Sequence, residues 1–123
     1  PKNYIIISAV LKGVASTKIT IEKKQNEFIQ RKKKSQPSQV KTGGSTFKNN
    51  NNQEAWSLIK ESGCAGFYVG DAKISEKHCN FFINNGKAKA SDIENLINKV
   101  KKQVKFKTGI DLELEIKIIG DEI

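Results

Sequence analysis

The stretch from Ser91 to Gly109 leaves this chain the least freedom. Ser91-x-x-Glu94 has the form of a helix capping box. Behind it Ile93, Leu96, Ile97, Val100 and Val104 recur at the spacing of one helix face. Gly109 supplies the residue that ends such a helix. A helix with one apolar stripe is stable only against a second apolar surface. Leu112 to Ile119 offers one, because Leu112, Leu114, Ile116 and Ile118 alternate with Glu113, Glu115 and Lys117 as in a half-buried strand. Asn80-Phe81-Phe82-Ile83-Asn84 reads as another short strand, with Asn85-Gly86 as its turn. Helices and strands mix irregularly and no internal repeat is present. The expected class is therefore α+β, a small mixed sheet with about three helices.

The earlier chain is more polar. Tyr4 to Leu11 is an almost unbroken apolar run rich in β-branched residues, expected as a strand buried on both faces. Little of the early chain could pair with it, so it reads as the last strand of a larger upstream unit. Gly13 breaks the run, and Ser16 or Thr17 can cap a helix over Lys18 to Lys34 with Ile21, Phe28 and Ile29 on one side. The basic run Arg31-Lys32-Lys33-Lys34 closes that helix, where the macrodipole favours cations. Gln36-Pro37 stops it. Gln53 to Ser62 carries Ala55, Trp56, Leu58 and Ile59, a short helix ended by Gly63. Gly66 and Gly70 bracket Phe67-Tyr68-Val69, where the backbone must bend sharply or lie against something.

Composition narrows the function. The net charge is +9, from 22 basic against 13 acidic residues, yet Arg31 is the one arginine. Base edges are read best by the guanidinium fork, so specific DNA recognition is not expected. A lysine-rich face that binds phosphates without specificity stays open as the alternative. Cys64 and Cys79 have no Cys-x-x-Cys spacing, and with the single His78 they supply too few ligands for zinc, so no metal is expected. Two thiols in a chain with no secretory segment point to a reducing, cytoplasmic setting. No apolar run reaches the ~20 residues of a membrane helix. The 123 residues suffice for one domain, and the chain, which lacks methionine even at position 1, is expected to be a fragment or a processed product.

The chemistry gathers in Thr42 to Asn50. Gly43 and Gly44 allow a tight turn and a close backbone approach to a ligand. After them come a hydroxyl (Ser45), an apolar anchor (Phe47), an ammonium (Lys48) and two amides (Asn49 and Asn50). That suits a loop gripping a polar ligand, although the same residues also make ordinary turns. The asparagine run after it is expected as exposed turn.

Several motifs in order resemble one family. Gln36-Pro37 and Gly43-Gly44-Ser45-Thr46-Phe47-Lys48-Asn49 are similar to the substrate loop of the flavoenzyme UDP-N-acetylenolpyruvoylglucosamine reductase, or UDP-N-acetylmuramate dehydrogenase. The resemblance continues through Ala55-Trp56-x-Leu58-Ile59, Gly66-x-x-x-Gly70-x-Ala72-x-Ile74-Ser75, Lys77-His78-x-Asn80-Phe81 and Ile83-Asn84-x-Gly86-x-Ala88. It ends with Leu112-Glu113-x-Glu115-Ile116 and Ile119-Gly120. It implies a cytoplasmic step of peptidoglycan precursor synthesis, with hydride passing from NADPH through FAD to the enolpyruvyl ether of a UDP-sugar. Such a reaction needs a proton donor at the α-carbon and an electrophile at the carboxylate. By resemblance Ser45 is the donor and Glu115 the acid beside the carboxylate. Lys48 and Asn49 fall where the family binds the diphosphate and uridyl groups, and Gly44, His78 and Asn80 belong to the same substrate site. Residues 1–34 then resemble the tail of an upstream FAD-binding half, and 35–123 the substrate-binding C-terminal domain. The final strand is expected to dock toward the flavin half. FAD is not expected to bind this stretch alone, so the chain by itself is expected to be inactive.

Two departures stand out. Asn50 occupies a usual proline position, and Cys79 replaces a small residue. The rival reading is a basic α+β module that binds RNA or another polyanion non-specifically; the reductase reading expects no nucleic acid and no membrane as partner.

Overall fold

The computed structural model describes residues 5–50 and 53–120. Its elements run α1 (Lys18–Ser35), β1 (Lys41–Ser45), α2 (Ala55–Glu61), β2 (Tyr68–Val69), β3 (Ala72–Ile74), β4 (Phe81–Asn84) and α3 (Ala90–Thr108). The strands form one sheet in the order β1-β4-β3-β2. The α+β class and the three helices are as expected. The sheet, expected to be mixed, is antiparallel at all three pairings. The connections between β2, β3 and β4 are too short for the crossover that parallel strands require.

α3 organises the core as its pattern predicts. Leu96, Ile97, Val100 and Val104 are buried, each contributing roughly 1.5–3 kcal/mol of apolar transfer. They pack over β2, β3 and α2, with Ile59, Ile74 and Phe82 in the same cluster. Gly109, at φ 74°, ends the helix. The expected capping box lies two residues too late. The cap is Lys89, whose backbone N–H donates to Asp92 Oδ2 at 2.9 Å. An aspartate three residues after the cap reaches back as a glutamate would.

Asp92 also explains a glycine. Gly70, at φ 53°, turns β2 into β3, and a Cβ there would meet Asp92 Oδ2 at 2.8 Å. The expectation that this backbone lies against something is met, and what it lies against is the cap of α3.

β4 is buried on both faces, with Phe81, Phe82 and Ile83 all in the interior. β3 alternates, Ala72 and Ile74 inward and Lys73 outward. α2 buries Ala55, Leu58 and Ile59, and Gly63 at φ 74° follows its Ser62 cap.

Contacts divide the chain into two units between Arg31 and Lys32. In the first, Thr17 Oγ1 accepts from the Thr20 backbone N–H at 3.3 Å, an N-cap where one was expected. α1 ends at Ser35, ahead of Pro37, and buries none of its residues. The strand expected over Tyr4–Leu11 is not formed over 5–11, where Ile5, Ile6, Ile7, Val10 and Leu11 are exposed; Tyr4 lies outside the described residues. A strand needs a partner for its backbone groups, and the described residues of this unit hold no other strand. Of the asparagine run, Asn49 and Asn50 are exposed, and 51–52 lie outside the described residues.

Candidate functional site

β1 is an edge strand with one bulge. Thr42 pairs with Ile83 but Ser45 with Phe81, so one extra residue stands between them. Gly44 takes φ 87°, a conformation that suits a residue without Cβ. The expected glycine loop is therefore a bulged strand, and its pairing to β4 fixes Gly44 and Ser45. Ser45 itself is exposed.

Beyond the bulge the chain continues as Thr46-Phe47-Lys48. Phe47 is 1% exposed and meets Phe82 edge-on, with ring centroids 5.8 Å apart. Asn80 fastens this segment: its Oδ1 accepts from Phe47 N–H at 2.9 Å and its Nδ2 donates to the Phe47 carbonyl at 2.8 Å. Its own carbonyl accepts from Thr46 N–H at 2.8 Å. Asn80 is 3% exposed. Expected at the ligand, it instead commits its amide to the backbone that carries the site.

The C-terminal segment lies along the other side of Thr46–Lys48. Phe47 and Leu114 form an antiparallel bridge. Lys48 N–H donates to the Glu113 carbonyl at 2.8 Å, and Glu115 N–H to the Thr46 carbonyl at 2.9 Å. Glu115 is thereby set one residue out of register from Ser45. The full strand expected over Leu112–Ile119 is not formed among the described residues; this one bridge is what remains of it. The alternation persists in burial as far as Lys117, with Leu112 buried, Leu114 and Ile116 half-buried, and Glu113, Glu115 and Lys117 exposed; Ile118, expected on the inward face, is exposed, beyond the reach of the pairing.

Lys48 Nζ is ion-paired with Glu113 Oε1. The hydrogen bond to Glu113 and that carboxylate's charge raise the ammonium's pKa, with a smaller push from Glu115. Lys48 stays cationic at any physiological pH. Asn49 Oδ1 accepts from the Ala55 N–H at 3.0 Å, satisfying a first-turn donor of α2. That bond leaves the amide nitrogen of Asn49 as the group able to donate outward. Beside these side chains lies a cleft of about 280 Å³, lined by Lys48, Asn49, Asn50 and Leu58 together with Asp111, Leu112 and Glu113. A second cavity, about 310 Å³, opens beside Gly43 and is floored by Phe82, Ile93 and Ile116.

His78 is half-buried in an aromatic cluster, its ring 4.8 Å from Phe81 and 6.2 Å from Trp56 between centroids. Its Nδ1 accepts from the Asn80 N–H at 3.4 Å. Burial pulls the imidazole pKa below its ordinary 6.5, so the ring is neutral at pH 7.

The structure thus brings Ser45, Lys48, Asn49 and Glu115 to two adjacent backbone segments, with Gly44 in the bulge and with Asn80 and His78 behind them. Sequence reasoning passed over Glu113. The strict alternation had placed it on the same face as Glu115, but only pairing of the two segments reveals Lys48 as its partner.

Residues 36–119 match the family described as UDP-N-acetylenolpyruvoylglucosamine reductase, C-terminal domain. A reductase of that name from Wolbachia sp. subsp. Drosophila simulans is 51% identical over 118 residues, 96% of this chain. Another from Paramagnetospirillum magneticum is 45% identical over 98% of it. The chain spans only about 40% of the length of these relatives. A crystal structure of the Thermus caldophilus UDP-N-acetylenolpyruvylglucosamine reductase superposes with a TM-score of 0.70 at 38% identity, covering 82% of this chain and 35% of that one.

Proposed function

The chain belongs to the UDP-N-acetylenolpyruvoylglucosamine reductase family, and from that premise we propose that it is the substrate-binding C-terminal part of such an oxidoreductase. The reaction is reduction of UDP-N-acetylenolpyruvoylglucosamine to UDP-N-acetylmuramate, with NADPH and FAD. The observation that carries this reading is the pairing of Thr46–Lys48, the segment directly after Ser45, with Glu113–Glu115.

The enolpyruvyl group must gain a hydride at its β-carbon and a proton at its α-carbon. Ser45 Oγ gives the proton. Glu115 lies beside the substrate carboxylate, which gathers charge as the hydride arrives. Lys48 and the Asn49 amide nitrogen hold the diphosphate and uridyl portions by charge-assisted and neutral hydrogen bonds. The residues present do not fit a whole FAD. Lys41 is the sole cation lining the cavity beside Gly43, and that cavity supplies no paired cations for a pyrophosphate. The chain offers a flavin at most one wall. Residues 1–34 are assigned to the tail of the flavin-binding half and 35–123 to the substrate domain. No helix among the described residues is long and apolar enough to cross a membrane.

The test is a chimera in which this chain replaces the matching C-terminal segment of the Wolbachia reductase. Oxidation of NADPH that depends on UDP-N-acetylenolpyruvoylglucosamine supports the reading. A folded, flavin-loaded chimera that reduces its flavin but never passes the hydride on would overturn it. The polyanion reading predicts instead affinity that falls steeply with salt and ignores the sugar.

A further inference from the structure

We propose that Glu113 determines specificity at the nucleotide cleft, limiting the negative charge that the cleft accepts. This rests on the reading of Lys48 as the diphosphate-binding cation.

Among the described residues that line the cleft there is one ammonium, Lys48, alongside the carboxylates of Asp111 and Glu113. Neither carboxylate is without a counter-ion: Asp111 pairs with Lys105, and Glu113 with Lys48 itself. The cation of this lining is therefore already balanced by Glu113. The pairing is built into the backbone, because Lys48 N–H also bonds to the Glu113 carbonyl at 2.8 Å and so sets the two side chains opposite each other. Glu115 adds a third carboxylate close enough for Lys48 to feel its charge.

A diphosphate diester, as in a UDP-sugar, carries one charge on each phosphate. A free terminal phosphate ionises a second time near neutral pH, so UDP and UTP bring more charge to the same place. Lys48 can share its donors between Glu113 and one phosphate oxygen. Each further negative charge meets the Glu113 carboxylate with no cation to offset it. At the effective dielectric of a surface cleft, that repulsion is large enough to separate ligands by about tenfold in affinity. Glu113 thus acts on the ligand through Lys48 and by direct repulsion, and it favours the capped diphosphate over free nucleotides.

The experiment is calorimetric titration of UDP-N-acetylglucosamine, UDP and UTP into the chain and its Glu113→Gln and Glu113→Asp variants. Thermal melting of each protein is followed alongside, at low and moderate salt. The expected result is that Glu113→Gln tightens UTP about tenfold, UDP less, and UDP-N-acetylglucosamine by no more than about threefold. Glu113→Asp, which keeps the charge, should retain the parent's order of preference. An equal change for all three ligands in the folded Gln variant overturns the proposal. So does a uniform loss, which would make Glu113 an aligner of Lys48. If no nucleotide binds to any variant while melting shows all of them folded, the diphosphate reading of Lys48 fails, and the proposal with it.

Discussion

Ser45 and Lys48 stand three residues apart and invite opposite tests. If Ser45 gives the α-carbon its proton, Ser45→Ala in the chimera should leave flavin reduction by NADPH near normal. Reoxidation by the enolpyruvyl substrate should slow by about 10²–10⁴-fold, the usual worth of a positioned general acid. Cysteine there should restore part of the rate. Stopped-flow flavin absorbance separates the two half-reactions, and wild-type rates in both would leave Ser45 as a turn residue. Lys48 is a binding group, and its ion pair is exposed on both sides. Such pairs add little to stability. Lys48→Ala should therefore leave the folding stability close to that of the parent while weakening UDP-sugar binding. Calorimetry beside a denaturation curve checks both halves, and unchanged binding removes Lys48 from the site.

At the scale of elements, the site is held by contacts that bind no ligand. Asn80 ties Thr46 and Phe47 to β4, Asn49 satisfies α2, and the bulge at Gly44 shifts the register of β1 on β4 by one residue. The β2–β3 turn and the start of α3 are joined in a similar way through Gly70 and Asp92. An alanine at position 70 would face both a left-handed backbone and a carboxylate 2.8 Å from its Cβ. Gly70→Ala should cost about 1–3 kcal/mol. Part of that loss arises because Asp92 must move off the Lys89 N–H. Pairing the variant with Asp92→Ala should remove the clash and recover part of the stability in urea unfolding, although it also forfeits the cap. Simple additivity of the two losses would show that Gly70 and Asp92 do not interact.

For the whole molecule, the single histidine gives the pH dependence a clear source. His78 is half-buried among Trp56 and Phe81, and burial lowers its pKa from 6.5. A base whose folded pKa is depressed resists protonation in the native state, whereas the unfolded chain takes the proton near 6.5. Its contribution is complete above 6.5 and is lost as pH falls through the folded value. The urea midpoint should hold from about pH 8 to 7 and decline between about 6.5 and 5, before most carboxylates titrate. His78→Gln should flatten that decline. A midpoint that rises over the same interval would reverse the assigned sign.

What the sequence by itself determined is what depends on near neighbours along the chain. The 3.6-residue apolar stripe of α3, its Gly109 stop, the Thr17 cap and the proline after α1 are all local, and each stands where the pattern put it. The alternation of Leu112, Leu114 and Ile116 with Glu113 and Glu115 likewise described which side chains face inward. The family was legible because its motifs keep their order along the chain. Tertiary structure decided whatever needs a partner. Tyr4–Leu11 has the composition of a strand, but the described part, 5–11, has no edge to complete it, and Leu112–Ile119 pairs only with Thr46–Lys48, just beyond β1. Asn80 reads in sequence as an amide of the substrate site; only the fold shows its amide bonded in both directions to the backbone of Phe47, 33 residues away. Glu113 looked like solvent-facing charge until folding set Lys48, 65 residues away, against it. Spacing tells which face a side chain occupies. Only the fold tells what stands opposite, because hydrogen bonds and ion pairs form between groups a few ångströms apart in space, however far apart they lie in the chain.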